Sequence, residues 1–267
     1  MQSIEKSMKN VDWIIELRDA RAPISSANPW LNDHVHAKNK ILVLNKSDLT
    51  DPKVTQEWRL KLNSDKMSTL ALNAVCQNSV QPVLRLLEDR YRMNNFAPDR
   101  KIQVMVVGMP NVGKSTFINS LRHISTGLGG KPAVIGPRAG VTRHLQTIRL
   151  LKSAPVYLCD TPGIFVPKID DFERGLKLAC IGLVNDQVLD LFLVNDFLLY
   201  SLNKNEEFNY TKVYKLDQPE NDAKKLFIHI CNLFDWRLSN GKLDGRRACE
   251  HFLKKFRKGE LGKITFD

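Results

Sequence analysis

Apolar and polar positions follow two alternating patterns along residues 1–168. Short runs of apolar and β-branched residues predict six strands, at residues 13–17, 41–44, 70–72, 102–107, 147–151 and 156–159. Between several of these runs, apolar residues recur at helical spacing, as at Val54, Trp58 and Leu62. Strands that alternate with helices build mainly parallel sheets flanked by helices. The pattern therefore predicts an α/β domain over residues 1–168.

The strand pattern stops after Pro167, and helical spacing takes over. Residues 172–183, 188–202 and 247–256 favour helices, so we expect a C-terminal α-helical domain over residues 169–267. A stretch rich in glycine and proline, residues 122–146, predicts a long loop in the first domain. All apolar runs are too short to cross a bilayer, which argues against an integral membrane protein.

The excess of basic residues lies in the first domain. The 267 residues include 40 Lys or Arg and 29 Asp or Glu, a formal net charge of +11. Residues 169–267 hold 16 residues of each sign, and residues 100–159 hold nine basic residues without an Asp or Glu. Such a stretch attracts polyanions, although a solvated surface explains it equally well. Five cysteines without a CxxC pair favour a reducing compartment.

Residues 108–115, GMPNVGKS, match the GxxxxGK[ST] pattern of a phosphate-binding loop. They follow a predicted strand and precede a helical stretch, as such a loop requires. Backbone N–H groups and the helix N-terminus then face phosphates, Lys114 stabilises their charge, and Ser115 binds Mg²⁺. We expect a nucleotide to be bound here by Asn111, Val112, Gly113, Lys114, Ser115 and Thr116.

Two further segments predict the rest of the Mg²⁺ and γ-phosphate site. Asp160-Thr161-Pro162-Gly163 follows the strand at 156–159. There Asp160 is expected to help hold Mg²⁺, and the N–H of Gly163 to face the γ-phosphate. In isolation these four residues are more typical of a turn, but their position after a phosphate loop favours the metal site. Thr142, within GVTR, is the candidate for a second hydroxyl on Mg²⁺.

Asn45-Lys46-Ser47-Asp48 follows the strand at 41–44 and indicates guanine. The carboxylate of Asp48 can accept hydrogen bonds from both N1–H and the exocyclic amine of guanine, whereas adenine presents an acceptor at N1. GTP and GDP are therefore the expected ligands of Asn45, Lys46, Ser47 and Asp48. The guanine motif precedes the phosphate loop, whereas ordinary GTPases have the opposite order. This order indicates circular permutation, which a sheet with adjacent termini tolerates.

With these motifs the sequence resembles the circularly permuted GTPases that assist large-subunit assembly, the family of bacterial ribosome biogenesis GTPase A and mitochondrial ribosome-associated GTPase 1. The resemblance extends to Asp19-Ala20-Arg21-Ala22-Pro23 and to residues 175–179 and 256–262, GLKLA and FRKGELG. Residues 196–204 are more similar to the mitochondrial member. The family implies GTP hydrolysis, large-subunit rRNA and proteins as partners, and location in the mitochondrial matrix, with the targeting segment outside this chain.

Three positions depart from, or add to, the familiar pattern. Ile164 stands where Ras-type enzymes carry a water-orienting glutamine. The resemblance implies that a histidine in a Gly-His-Met segment before Met1 serves instead, so we expect slow hydrolysis with intact GTP binding and assign no catalytic residue beyond Lys114. Residues 73–75, NAV, replace a guanine-stabilising Ser-Ala-Lys. Asn111 resembles the asparagine through which related GTPases hold K⁺.

Charge is segregated within the C-terminal domain. Residues 170–222 contain 5 basic and 11 acidic residues, whereas residues 237–263 contain 9 basic and 3 acidic ones. In the last predicted helix Phe252, Leu253 and Phe256 can face a core. The residues expected to stay outward are Arg247, Lys254, Lys255 and Lys258. This helix is predicted to bind RNA backbone, with the cardiolipin-rich inner mitochondrial membrane as a second polyanion for a peripheral contact.

The favoured function is a GTP-binding and GTP-hydrolysing assembly factor for the large ribosomal subunit. One alternative is a protein that holds GTP as a placeholder with little turnover, because the Gly-His-Met segment is not in the chain. Another is a P-loop kinase of a small molecule, against which the guanine motif argues.

Overall fold

The computed structural model describes residues 11–29, 31, 39–64, 67–97, 99–126, 148–159, 169, 171–188 and 190–267. The chain divides into two compact units. One comprises Met1–Asp48 and Pro52–Lys168, and the other comprises Leu49–Asp51 and Ile169–Asp267.

The first unit is built on a six-stranded sheet. Its strands are β1 (Trp13–Asp19), β2 (Asn39–Asn45), β3 (Met67–Ala71), β4 (Ile102–Gly108), β5 (Ile148–Arg149) and β6 (Val156–Cys159). Their spatial order is β3-β2-β1-β4-β6-β5. Neighbouring strands run parallel except β5, which pairs antiparallel with β6. The six predicted strands are confirmed, although β3 begins at Met67 rather than residue 70 and β5 is only two residues long.

The central strands β1 and β4 are covered on both faces. Every residue of β1 is buried, and so are the apolar residues Val104, Met105 and Val106 of β4. Strands buried on both faces normally read as continuous apolar runs. β1 departs from this rule because it also buries the charged side chains Glu16, Arg18 and Asp19.

In the described residues of this unit, the helices are α1 (Pro52–Leu62), α2 (Gln77–Met93) and α3 (Lys114–Thr126). Helix α3 begins directly after the phosphate loop and packs against α2 and β4. It corrects one expectation, because residues 122–126 are helical and not part of a loop. Phe117 and Leu121 are buried one helical turn apart, and this stripe keeps the helix docked. The rest of the predicted loop, residues 127–146, lies outside the described residues.

In the part of the chain that the structure describes, the second unit is helical. Its helices are α4 (Phe172–Cys180), α5 (Leu191–Lys204), α6 (Asn209–Tyr214), α7 (Ala223–Leu233) and α8 (Gly245–Arg257). The sequence patterns predicted α4, α5 and α8. Helix α4 ends earlier than expected, because Gly182 has a left-handed φ of +78° just after it.

Aspartates begin four of these helices. The side chains of Asp171, Asp190, Asp222 and Asp244 accept hydrogen bonds from backbone N–H groups in the first turns of α4, α5, α7 and α8. Capping of this kind contributes about 1 kcal/mol per helix. Three of the acidic residues between 170 and 222 therefore have a structural role.

Aromatic rings form the centre of the second unit. Phe252 of α8 lies 5.7 Å from Tyr214 and 5.7 Å from Phe227, measured between ring centroids. Leu253 and Phe256 are also buried, as the spacing of α8 predicted. Among the described residues, no helix is long and apolar enough to span a bilayer.

Candidate nucleotide-binding site

Two glycines shape the phosphate loop between β4 and α3. Gly108 has φ +152°, and a Cβ there would lie 2.5 Å from the backbone oxygen of Leu17 in β1. Gly113 has φ +103°, and a Cβ there would overlap the side-chain nitrogen of Asn45. Both positions thus need glycine for its backbone conformation and for its lack of a side chain. The close approach at Gly113 also brings the guanine motif into direct contact with the phosphate loop.

Asn45, at the end of β2, links three parts of the site. Its side chain is buried, and Nδ2 donates a 2.9 Å hydrogen bond to the backbone oxygen of Val112. Its Oδ1 accepts a 2.9 Å hydrogen bond from the backbone N–H of Ala74, and Ser120 Oγ of α3 donates to the Ala74 oxygen at 2.6 Å. Although residues 73–75 lack the Ser-Ala-Lys sequence, the backbone of Ala74 is held firmly against the guanine motif.

Lys46 makes a second link to the phosphate loop. Its Nζ donates to the backbone oxygen of Asn111 at 3.3 Å and forms a 3.0 Å ion pair with Asp19. Lys46 and Asn111 both have left-handed backbones, with φ of +59° and +60°. The next residue, Ser47, donates its N–H to Leu72 at 3.2 Å, and Asp48 is exposed. The carboxylate of Asp48 is therefore accessible to a base.

Asp19 is a part of this arrangement to which the sequence reasoning gave no role. It lies at the end of β1, fully buried, and also pairs with Arg21 at 2.8 Å. Burial by itself raises the pKa of the Asp19 carboxyl, but the charges and hydrogen bonds of Arg21 and Lys46 outweigh it and lower the pKa below its ordinary value. The signal in the sequence was an acidic residue at the end of an apolar strand with an arginine two positions later.

Lys114, the first residue of α3, folds back onto the phosphate loop. Its Nζ donates to the backbone oxygens of Gly108 at 2.9 Å and Met109 at 2.7 Å. Burial lowers the pKa of Lys114 to about 8. An ammonium group that has already lost much of its hydration is well suited to a phosphate ligand, because less water must be removed on binding.

The donor set suits Mg²⁺ as far as the structure describes it. Ser115 and Thr116 lie in the first turn of α3, where backbone N–H groups collect. Mg²⁺ prefers hard oxygen ligands and usually takes one or two from the protein and the rest from phosphates and water. The hydroxyl of Ser115 fits this preference. Asp160, Gly163 and Thr142, the other predicted residues of this site, lie outside the described residues.

A separate basic surface lies on α8. Lys254 and Lys258 are exposed. Arg247 is exposed as well, with its guanidinium 4.7 Å from the Trp236 ring, whereas Lys255 is half-buried and pairs with Glu260. Arg257 turns inward instead and binds Asp186 with both Nη atoms at 2.7 Å. The outward charge of this helix is thus smaller than its sequence suggests.

Comparison with known proteins decides the family. A family model described as "50S ribosome-binding GTPase" matches residues 103–232. Mitochondrial ribosome-associated GTPase 1 of Mus musculus is 35% identical over the whole chain and 86% of its own length. Ribosome biogenesis GTPase A of Bacillus pumilus is 32% identical over the whole chain and 94% of its own length. The chain belongs to the GTPase family of these two proteins.

Solved structures agree on the fold of this GTPase. The crystal structure of GNP-bound YlqF from T. maritima has a TM-score of 0.71 at 22% identity, with 100% of this chain and 96% of that one covered. The fold is that of a circularly permuted P-loop GTPase with a helical C-terminal part. P-loop GTPases use Mg²⁺. Full-length relatives named as GTPases support hydrolysis and give no support to a nucleotide-holding placeholder or a small-molecule kinase.

Proposed function

We propose that this GTPase is an assembly factor for the large ribosomal subunit of mitochondria, acting on precursor rRNA and its proteins in the matrix. The observation that carries the nucleotide part is the hydrogen bond from Asn45 to Val112, which joins a guanine motif to a phosphate loop across the permuted order. The names of the full-length relatives support the ribosomal part, and the mitochondrial names among them support mitochondria.

GTP would be held from both ends of the site. Asp48 accepts from guanine, while the N–H groups of Val112 and Gly113 and the ammonium of Lys114 meet the phosphates. Ser115, with Asp160 and Thr142, would hold Mg²⁺, which would neutralise negative charge on the phosphates. The side-chain oxygen of Asn111 would hold K⁺ near the phosphates, since its backbone carbonyl already accepts from Lys46. The backbone N–H of Gly163 would face the γ-phosphate.

Base recognition is tested by exchanging one side chain. The Asp48→Asn variant replaces an acceptor of the guanine N1–H and amine by an amide, which suits xanthine because that base has a carbonyl in place of the amine. We expect affinity for GDP to fall at least about 100-fold and affinity for xanthosine diphosphate to rise. Fluorescence titration with both nucleotides measures the exchange. Loss of both affinities, or of neither, would contradict guanine recognition by Asp48.

The ribosomal role is tested by the rate of phosphate release. Purified mitochondrial large subunits should increase GTP hydrolysis by the wild-type chain, in potassium more than in sodium if Asn111 holds the monovalent ion. Small subunits, liposomes containing cardiolipin and unrelated RNA serve as comparisons. Stimulation by small subunits alone, or by none of the additions, would contradict the proposal. Stimulation by liposomes alone would assign the basic surface to the membrane.

A further inference from the structure

Strand β1 carries two buried ion-pair clusters built on one plan. In the first, Glu16 pairs with Arg18 and Lys40. In the second, Asp19 pairs with Arg21 and Lys46. Each consists of a fully buried carboxylate, an arginine two residues later, and a lysine at one end of β2 or just beyond it.

The two carboxylates use their oxygens in the same way. Oε1 of Glu16 accepts from Nε of Arg18 at 2.9 Å, and Oε2 accepts from Nη2 of Arg18 at 3.1 Å and from Lys40. Oδ1 of Asp19 accepts from Nε of Arg21 at 2.9 Å, and Oδ2 accepts from Nη2 of Arg21 at 2.8 Å and from Lys46 at 3.0 Å. Oδ1 of Asp19 also accepts from the backbone N–H of Arg21 at 3.1 Å. Replacing either carboxylate with its amide therefore removes the same charge from the same kinds of ion pair, with one more hydrogen bond affected at Asp19.

The two clusters differ in the further contact that the lysine makes. Lys46 also donates to the backbone oxygen of Asn111 in the phosphate loop, at 3.3 Å. Its side chain is 26% exposed, and its backbone is left-handed, a conformation that is unfavourable for lysine. Without a fixed anion, a flexible ammonium that is partly in water would lose little by turning into solvent. Asp19 supplies that anion, and its own position is fixed by burial and by Arg21.

We propose that Asp19 is a positioning residue of the nucleotide site, which holds Lys46 on the carbonyl of Asn111 so that the guanine motif and the phosphate loop keep one spacing. This inference rests on the guanine-nucleotide function proposed above. Release of a bound nucleotide requires the two loops to separate from base and phosphates. By holding Lys46 on the phosphate loop, Asp19 slows that release.

The test compares Asp19→Asn with its matched control Glu16→Gln. Both variants replace a buried carboxylate by an amide that faces an arginine and a lysine, so both are expected to lower the free energy of unfolding. Release of fluorescent GDP is followed after addition of excess GDP. We expect Asp19→Asn to release it about tenfold faster than the wild type, and Glu16→Gln within about twofold of it. Equal rates in the two variants would overturn the proposal.

A double-mutant cycle separates positioning from loss of stability. If Asp19 acts through Lys46, the variant Asp19→Asn/Lys46→Met releases GDP no faster than Lys46→Met, within about twofold. If Asp19 acts through general stability, the two effects multiply, and this result would overturn the proposal. Where Asp19→Asn does not fold, Lys46→Met keeps the buried Asp19–Arg21 pair and tests the same contact: it should release GDP about tenfold faster than the wild type, and an unchanged rate would overturn the proposal. Absence of GDP binding by the wild type would instead contradict the proposed function.

Discussion

At the scale of single residues, the burial of Lys114 predicts a pH dependence for the proposed nucleotide site. Its ammonium is largely buried against the oxygens of Gly108 and Met109, and burial lowers its pKa to about 8. Phosphate groups favour the charged form, so a bound nucleotide raises this pKa again. A proton is therefore taken up on binding wherever the free protein has lost it.

This linkage predicts the pH dependence of nucleotide affinity. Below pH 8 Lys114 is charged before and after binding, so the Kd for GDP should be nearly constant. Above pH 8 the Kd should rise by up to about tenfold per pH unit, because the lysine must first be protonated. Fluorescence titration between pH 6.5 and 9 measures the slope. Lys114→Arg is the control, since an arginine stays charged and should remove the slope, and a flat profile in the wild type would contradict the assignment.

Residues that belong to a known motif could be predicted from the sequence. Residues whose role depends on burial in the fold could not. Asn45 and Lys114 belong to recognisable patterns, and the structure places both on the phosphate loop. Asp19 has its role because β1 lies beside β2 in the sheet and hides the carboxylate from water. Ser120 donates a hydrogen bond to Ala74, which is 46 positions away in the sequence, so no local pattern could predict this contact.

At the scale of secondary structure, helices α6 and α7 were missing from the sequence prediction for different reasons. Helix α7 carried a usable signal in Asp222 and in its buried residues Leu226, Phe227 and Ile230. Helix α6 did not, because six residues are too few to show a period, and its burial of Tyr210 and Tyr214 depends on α8. Short helices of this kind are stabilised by packing more than by propensity.

Arg257 fixes the C-terminal end of α8 through contacts of its guanidinium. Its guanidinium binds Asp186 at 2.7 Å and donates to the backbone oxygens of Ala179 and Cys180 at 2.7 and 3.2 Å. We expect Arg257→Ala to lower the free energy of unfolding by about 2 kcal/mol, a moderate value because Asp186 is 43% exposed.

Arg246 on the same helix provides the control for this prediction. Its side chain is 77% exposed and forms an ion pair with Glu250 at 2.9 Å on the same face of the helix. Arg246→Ala should therefore change stability by less than about 0.5 kcal/mol. Urea unfolding followed by circular dichroism measures both variants. Equal losses would show that Arg257 contributes no more than a surface charge.

At the scale of the whole molecule, the net charge of +11 is a poor guide to RNA affinity. Several basic side chains have internal partners, among them Arg18, Arg21 and Arg257. Others serve the nucleotide site, as Lys114 does. Two exposed lysines, Lys254 of α8 and Lys258 directly after its end, are better candidates for contact with phosphates.

Charge reversal on α8 tests whether position or total charge determines RNA binding. Lys254→Glu/Lys258→Glu should weaken binding to large-subunit rRNA and reduce the slope of log affinity against log salt by about 2. Lys204→Glu/Lys212→Glu changes the net charge equally at two exposed lysines within the acidic stretch, and should have a smaller effect. Filter binding between 50 and 300 mM KCl, chosen to cover about the physiological range, measures the slopes. Equal slopes in the two variants would exclude a specific role of α8.

The strand order affects how this protein folds during its synthesis on the ribosome. β1, β2 and β3 leave the exit tunnel before β4, yet β4 is the neighbour that covers the other edge of β1. Until residue 108 has emerged, the nascent chain presents an apolar strand with unpaired backbone groups, the kind of edge on which chains aggregate. The interval between the emergence of β1 and that of residues 102–108 is therefore the one in which the nascent chain is most prone to aggregate, and the phosphate loop emerges directly after the strand that ends it.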